Sequence, residues 1–477
     1  MERLTKREFL KRMALAGGAL ASASLLAACG GAPTPTPVPA KPTEAPKPAE
    51  APKPTAAAKP TVAPAAKPAA SKEPVTLRMH MRAGGEKSEP AIYVQRPGEW
   101  EQETGNKVKL EPIPGGKDYI PKVDALAASN TIGDILWTSD VYSEHTHLVR
   151  FNVLEPVDDY LGPANVKKTE WFQPIIDTLT FNGKTYGLPK TGHPGDSYIW
   201  INLKAFDAAG IKRPETYGNT FEQIAEWANK LSKGPKDKRE VYGYSSSVAI
   251  LQAITNGIRQ RGGDVIDAEG VKSLADGDAW WEWASWNAQL IAVDKVHPLA
   301  DVVGTGGIAA MFGAEKVAMV HAQRSFERQA RIASQGKFDY TSIQYPRGPK
   351  ALGWGMSIDT HTGTAASKHK QETFSLVYAM ADRRFAYLVA KEQGYLTGRV
   401  DNLDAIKELA DDHFIKLQQK CTEESAAFWR AKNLRAYEVE TAITNQMDLI
   451  WLGKRQLDKA FMAETKKVLD EVLAKPA

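Results

Sequence analysis

The sequence predicts an α/β protein of two lobes with a helical C-terminal third, carried behind an export leader and a tether. Three observations support this class. Strand-like and helix-like segments alternate from residue 75 onward, as in sheets built from parallel α/β units. The 405 residues after position 72 exceed what a single hydrophobic core organises, so the body divides into two lobes. From Phe374 to Leu473 the chain carries long helical runs.

The leader comes first. Met1–Arg12 is basic, with Arg3, Lys6, Arg7, Lys11 and Arg12, and Met13–Leu26 follows without a charge. Fourteen weakly apolar residues are too few to cross a bilayer, which takes about 20, but they fit the apolar region of an export signal. Leu26-Ala27-Ala28-Cys29-Gly30 resembles a bacterial lipobox, which implies cleavage before Cys29 and acylation of its thiol. Thr5–Lys11 resembles a twin-arginine signal but has Lys6 in the place of the first arginine, which favours the general export route. The competing reading, a buried N-terminal helix with an incidental cysteine, leaves the order of these three features unexplained. Residues 30–72 hold 12 of the 29 prolines, no aromatic residue and a filler of Ala, Lys and Thr. Such a segment buries too little to order itself and extends as a tether reaching at most about 130 Å.

Charge follows the same division. Residues 1–72 carry 11 Lys/Arg against 4 Asp/Glu, whereas the rest carries 50 against 53. The near-neutral body excludes a nucleic-acid binder held by a dense basic face. Two cysteines, Cys29 and Cys421, exclude a disulfide framework and a Cys-rich zinc site. No apolar run after residue 30 reaches the length of a membrane span.

Along the body, Val75–Met81 alternates as a strand, Glu89–Thr104 reads as a helix ending at Gly105, and Lys107–Pro112 is strand-like. Ile120–Ser129 is a short amphipathic helix, and Asp134–Trp137 a short apolar strand. Leu203–Ala209 and Phe221–Leu231 are helical, the second opened by Thr220. Trp280–Val293 is an aromatic helix and Val317–Val320 a buried strand. Phe374–Gln393, Leu403–Lys420 and Arg435–Leu473 make the helical third.

The order of several segments resembles the extracellular solute-binding proteins of ABC importers, in the branch that mostly binds sugars. Gly133-Asp134-Ile135-Leu136-Trp137 resembles G-x-P-D-V-x-W, and Leu154–Tyr160 resembles L-x-P-L-D-D-Y. Phe181–Pro189 resembles D-G-K-x-Y-G-L-P, and Tyr198–Ile211 resembles L-Y-Y-N-K-D-L-F-x-x-A-G-L. Lys316–Met319 is similar to G-K-x-A-M with Glu315 for the glycine, Gly353–Ile358 to G-G-x-G-x-x-I, and Leu396–Arg399 to L-P-x-R. The resemblance implies a periplasmic-binding-protein-like fold, with hinge strands between the lobes and ligand in the cleft. It implies a monomer that delivers a small solute, a sugar or oligosaccharide, to permease subunits at the outer face of the cytoplasmic membrane or in the periplasm, without cofactor or catalysis. Mapped on that fold, residues 1–29 are the signal, 30–72 the tether, 73–190 with about 305–355 lobe 1, and 191–304 with about 356–477 lobe 2.

Sugars are held by aromatic faces and by planar polar groups on their hydroxyls. The candidates are therefore Trp137 and Asp140 at a strand end, and Lys190, His193 and Asp196 in the polar loop that the resemblance places across the lobes. Gln323 and Arg324 follow the strand at 317–320, Trp354 lies between two glycines, and Glu86 follows Gly84-Gly85. Arg399 either reaches the cleft or pairs with Asp401. Trp280–Trp286 looks like an aromatic platform, but the spacing of Trp283 and Trp286 favours core. His145-Thr146-His147 beside Glu144 presents two imidazoles if extended, with no third metal ligand in view. Gly304–Ala309 spells G-x-G-x-x-A with Glu327 beyond, without the βαβ setting that a dinucleotide needs. No hydrolase, metalloprotease or P-loop motif occurs. A lipid-anchored carbohydrate hydrolase working through paired carboxylates is the rival from another class.

Overall fold

The computed structural model describes residues 73–83, 92–114, 118–139, 143–246, 251–303, 307–394, 396–401, 411–426 and 432–476. The leader with Cys29, the tether, Glu86, Asp140 and Gly304–Gly306 lie outside the described residues.

The first lobe opens with β1 (Thr76–Ala83), α1 (Ile92–Thr104), β2 (Lys107–Pro114), α2 (Tyr119–Ala128), β3 (Ile135–Ser139), α3 (Glu144–Arg150) and β4 (Leu188–Pro194). The chain then enters the second lobe as β5 (Tyr198–Asn202), α4 (Phe221–Leu231), β6 (Ser245–Ser246), α5 (Leu251–Arg259), α6 (Asp278–Ala288), β7 (Met319–Ala322), α7 (Phe326–Ser334) and β8 (Tyr340–Gln344). It returns to the first lobe as β9 (Met356–Gly363), α8 (Lys370–Ala379) and α9 (Arg383–Gln393), and finishes with α10 (His413–Glu423), α11 (Ala436–Trp451) and α12 (Lys459–Leu473). One sheet has the order β2-β1-β3-β9-β4 and the other β8-β5-β7-β6.

Local chemistry accounts for several of these elements. In α4, Ile224, Trp227, Ala228 and Leu231 are buried at helical spacing. Thr220 and Gln223 form a reciprocal capping box, with Thr220 Oγ1 accepting from the Gln223 amide at 3.2 Å and Gln223 Oε1 accepting from that of Thr220 at 2.9 Å. Trp280–Val293 is α6 followed by a π turn over Gln289–Val293. The run Phe374–Gln393 is two helices, because Asp382 stops the first and caps the second through the Phe385 amide at 2.7 Å. Arg435–Leu473 is likewise divided, with Asp458 capping α12.

The expected lobe boundaries need correction. The resemblance places about 305–355 in lobe 1, but β7 and β8 inside that segment pair with β5 of the second lobe. Conversely β9 pairs with β3 and β4, and α8–α9 pack beside α1 through Trp100 Nε1–Ser375 and Arg96–Asp382, so 356–394 belongs to the first lobe. The physical reason is pairing: a strand joins the sheet whose free backbone edge it meets, and that edge is visible only in three dimensions. The first-lobe core gathers Leu77, Met79, Trp100 and Phe385, and that of the second Trp200, Phe206, Phe312 and Val320. A third cluster joins α5 and α6 to α11 and α12 through Ile254, Trp283, Ile443 and Phe461.

Candidate functional site

Strand direction sets where the site lies. β1, β2 and β3 run parallel, and β4, antiparallel to β9, runs with them, so their C-terminal ends share one edge. In the second sheet the C-terminal ends of β6, β7 and β8 share an edge with the start of β5. Only residues 195–197 separate β4 from β5, so the two edges are brought face to face. Ligands of open α/β sheets bind outside the C-terminal ends of strands. The return passage, 345–355, runs beside the first: Gly195 N–H donates to Gly355 O at 3.0 Å and Tyr345 N–H to Ser197 O at 2.8 Å.

On the first-lobe edge, Trp137 is 3% exposed. The Arg82 guanidinium lies 4.6 Å from its ring centre and Lys190 Nζ 5.4 Å, while Lys190 is also 4.1 Å from the Tyr93 ring. Tyr119 meets the same indole edge-on. The structure thus brings Trp137 and Lys190 together, but the ring face carries cations. Asp359 stands in register opposite Ser139 and accepts a long hydrogen bond from Thr191 at 3.4 Å. His361, opposite Trp137, is buried with both ring nitrogens unbonded, and burial pushes its pKa well down, Lys190 adding to the effect. Arg82, Tyr93, Asp359 and His361 were not among the sequence candidates. Asp359 and His361 lie in β9, a strand that was missed, whereas Arg82 lies at the end of β1 and Tyr93 in the first turn of α1, where no local signal distinguishes a cleft-edge side chain from a core one.

On the second-lobe side, Asp196 is buried, and its backbone carbonyl accepts from His321 Nε2 at 2.6 Å. His321 Nδ1 pairs with Ser246 at 2.9 Å and the ring stacks on Tyr345, so burial holds its pKa down at about 4. His193, across the crossover in the first-lobe strand β4, is buried with its pKa lowered by burial. Arg324 is 3% exposed and joins the lobes directly, donating from Nη2 to Gly394 O at 2.5 Å, while Nη1 ion-pairs with Glu327 at 4.0 Å and Nε has no hydrogen-bond partner. Burial lowers its pKa. Gln323 beside it is half-buried.

Two candidates are corrected. Trp354 is wholly buried in the second-lobe core, edge-on to Tyr345, and its indole N–H reaches Glu424 at 3.4 Å; its flanking glycines serve the crossover backbone rather than a ligand. Arg399 is buried against Trp171 in ion pairs with Glu170 and Asp401, both at 2.8 Å, which leaves it a structural clamp. The imidazoles of His145 and His147 sit in helix α3 and diverge: His145 bonds Thr138, His147 pairs with Asp124. No group of potential metal ligands occurs among the described residues. Glu327, the acid of the G-x-G-x-x-A reading, bonds Tyr340 and Arg331. A cavity of about 590 Å³ lined by Phe221, Arg261, Trp280 and Lys350 lies on the second lobe and includes none of the candidates.

The structure is similar to the ABC substrate-binding protein Lmo0181 of Listeria monocytogenes in complex with cycloalternan, with a TM-score of 0.72 at 14% identity over 84% of this chain and 99% of that one. It is similar to an ABC transporter solute-binding protein of Thermotoga lettingae bound with α-D-tagatose, with a TM-score of 0.71 at 16% identity over 84% and 100%. It is also similar to UgpB of Mycobacterium tuberculosis in complex with glycerophosphocholine, with a TM-score of 0.70 at 17% identity over 83% and 98%. At these identities the likeness is one of fold. No curated protein sequence matches the chain. The sequence itself matches a family profile across residues 85–394, well over half its length, and the chain therefore belongs to the family of bacterial extracellular solute-binding proteins.

Proposed function

We propose that the protein captures a sugar or oligosaccharide between its lobes and delivers it to the permease subunits of an ABC importer. The observation that carries this reading is the pair of C-terminal strand edges held face to face by the crossovers at 195–197 and 345–355. The solutes of fold relatives, cycloalternan and α-D-tagatose among them, support carbohydrate, and glycerophosphocholine in another marks the main competitor. Lys190 in β4, Asp196 at the first crossover, Gln323 and Arg324 after β7, and the edge of Trp137 supply the polar and aromatic contacts; Asp140 and Glu86 remain proposed from the sequence. Ligand touching both lobes binds the closed arrangement better than the open one, and so shifts the balance toward closure. The protein acts as a monomer, and an acyl chain on Cys29 anchors it outside the cytoplasmic membrane at the end of the tether.

A thermal-shift screen of the purified protein against mono- and oligosaccharides and glycerophosphodiesters tests this, since a ligand of the native state raises the melting temperature. A saccharide that raises it and is recovered intact is the expected result. A shift with glycerophosphodiesters alone overturns the carbohydrate assignment, and a saccharide cleaved in proportion to protein concentration overturns the transport role. Cys29→Ser is expected to leave the membrane fraction; retention through washing excludes the lipid anchor.

A further inference from the structure

One face of α5 is polar and turned toward the crossovers. Asn256 inserts its amide between them, donating to Gly195 O and accepting from Gly355 N–H at 2.8 Å. One turn on, Arg259 donates to Gly353 O at 3.0 Å and to Leu352 O at 3.1 Å, and Gln260 Nε2 reaches Gly353 O at 3.3 Å. Gln252 completes this face one turn before Asn256, at the end of the helix that follows the β6 edge. It differs from the others: it is 0% exposed, and neither Nε2 nor Oε1 has a partner. Its amide lies over Gly195, where an added Cβ would fall 1.8 Å from Nε2. That close approach is the reason a glycine stands at 195.

A buried amide with both ends unbonded carries the desolvation penalty of a donor and an acceptor. Packing gains nothing from it that an apolar side chain of the same size would not supply. The cost is accounted for if a ligand completes both bonds. We infer that Gln252 is a solute-reading residue whose amide, at the junction of the first crossover and the cleft, donates to one hydroxyl of a non-ionic polyol and accepts from its neighbour. This rests on the proposed function and deepens it. A planar amide presents donor and acceptor side by side, the match for adjacent hydroxyls on a sugar ring, and it carries no charge to favour an ionic solute. Gly195 is part of the same device, since any side chain there displaces the amide.

The test is a pair of melting curves for wild type and Gln252→Met, a substitution of similar size without the amide. Without added solute, Gln252→Met is expected to melt at or above the wild-type temperature. With the saccharide that most stabilises wild type, its affinity is expected to fall at least 10-fold. A variant that melts several degrees lower yet binds that saccharide with unchanged affinity makes Gln252 structural and overturns the inference. A saccharide bound equally by both proteins keeps the transport function and removes Gln252 from its site. A glycerophosphodiester that binds wild type and is lost in the variant keeps Gln252 in the site and overturns the carbohydrate class. A panel in which nothing stabilises wild type overturns both. Gly195→Ala supplies an independent arm: it is expected to lower affinity in wild type and to have little further effect on affinity in Gln252→Met.

Discussion

At the scale of single residues, burial decides what the ionisable and aromatic side chains do. Glu144, at the start of α3, is 3% exposed, and burial pushes its carboxyl up to about 8, with the charges of Asp359 and Glu440 adding and that of Arg82 opposing. Folded, it keeps a proton that the unfolded chain releases near the ordinary value of 4.5. Stability therefore falls as pH rises from about 4.5 to about 8, by about 1.4 kcal/mol per pH unit for this group alone. His145, held by burial at about 3, acts in the opposite sense and loses stability as pH falls below its ordinary 6.5. Melts are expected to show a wild-type decline from about pH 6.5, above which His145 no longer opposes it, to about pH 8, and Glu144→Gln is expected to abolish that decline; parallel curves would mean that Glu144 is ionised in the fold. Trp354→Ala is expected to destabilise by about 3–5 kcal/mol, read as a lower denaturant midpoint, because it removes a fully buried ring. A variant of native stability that loses solute affinity would return that ring to the cleft. Candidate residues were only partly legible for the same reason. A tryptophan prefers to leave water, and sequence does not say whether a sugar or a core receives it. Nine of the eleven described tryptophans are buried, Trp354 within the second-lobe core and Trp137 with the cations of Arg82 and Lys190 on its ring.

At the scale of elements, α5 is the piece on which the crossovers depend. Its Asn256 amide stands in for one rung of the ladder between them, since Gly195 N–H to Gly355 O is the neighbouring rung. Asn256→Ala is expected to leave a carbonyl and an amide buried without partners and to cost about 1–3 kcal/mol. Asn256→Asp retains the acceptor for Gly355 and is expected to fall between the two; equal melting of all three proteins would show that water replaces the side chain fully. The elements readable in sequence carried their own signals. The capping box and the i, i+3, i+4, i+7 spacing in α4, and the alternation of β1, need no tertiary partner to be recognised. β4 and β9 had no such signal. β4 contains Pro189, Gly192 and Pro194 and is buried on both faces, and β9 carries Asp359, Thr360, His361 and Thr362. The polar side chains of β9 are acceptable because partners wait across the sheet: Thr360 bonds both Thr138 and Thr362. That information lies in β3, more than two hundred positions earlier, and no local window holds it.

At the scale of the whole body, length and alternation indicated two lobes, while the points where the chain changes lobe carried no compositional mark, so the allotment of 305–355 was reversed. The structure adds a contact that no spacing suggests. α3 belongs to the first lobe through Leu148 and Val149, and α11 to the second through Val439, Ile443 and Met447. The two helices meet away from the crossovers: Arg150 pairs with Glu438, which Arg435 also holds at 3.0 Å, and the His147 and Tyr437 rings lie 5.4 Å apart. Side-chain exposure is 13% for Arg150 and 34% for Glu438, so the pair is only partly screened. Such a contact holds the lobes in the arrangement seen here without solute, and under the proposed mechanism, in which that arrangement binds, it raises the apparent affinity by enlarging the fraction of molecules in the binding form. Arg150→Glu places two carboxylates together and is expected to increase the radius of gyration of the solute-free protein in small-angle scattering. Affinity for the stabilising solute is expected to fall by about 2–10-fold, from a coupling of about 0.5–1.4 kcal/mol. Arg150→Lys keeps the charge and is expected to keep both values near wild type. An Arg150→Glu protein that is as compact as wild type without solute would show that the crossovers and Arg324 alone set the resting angle of the lobes.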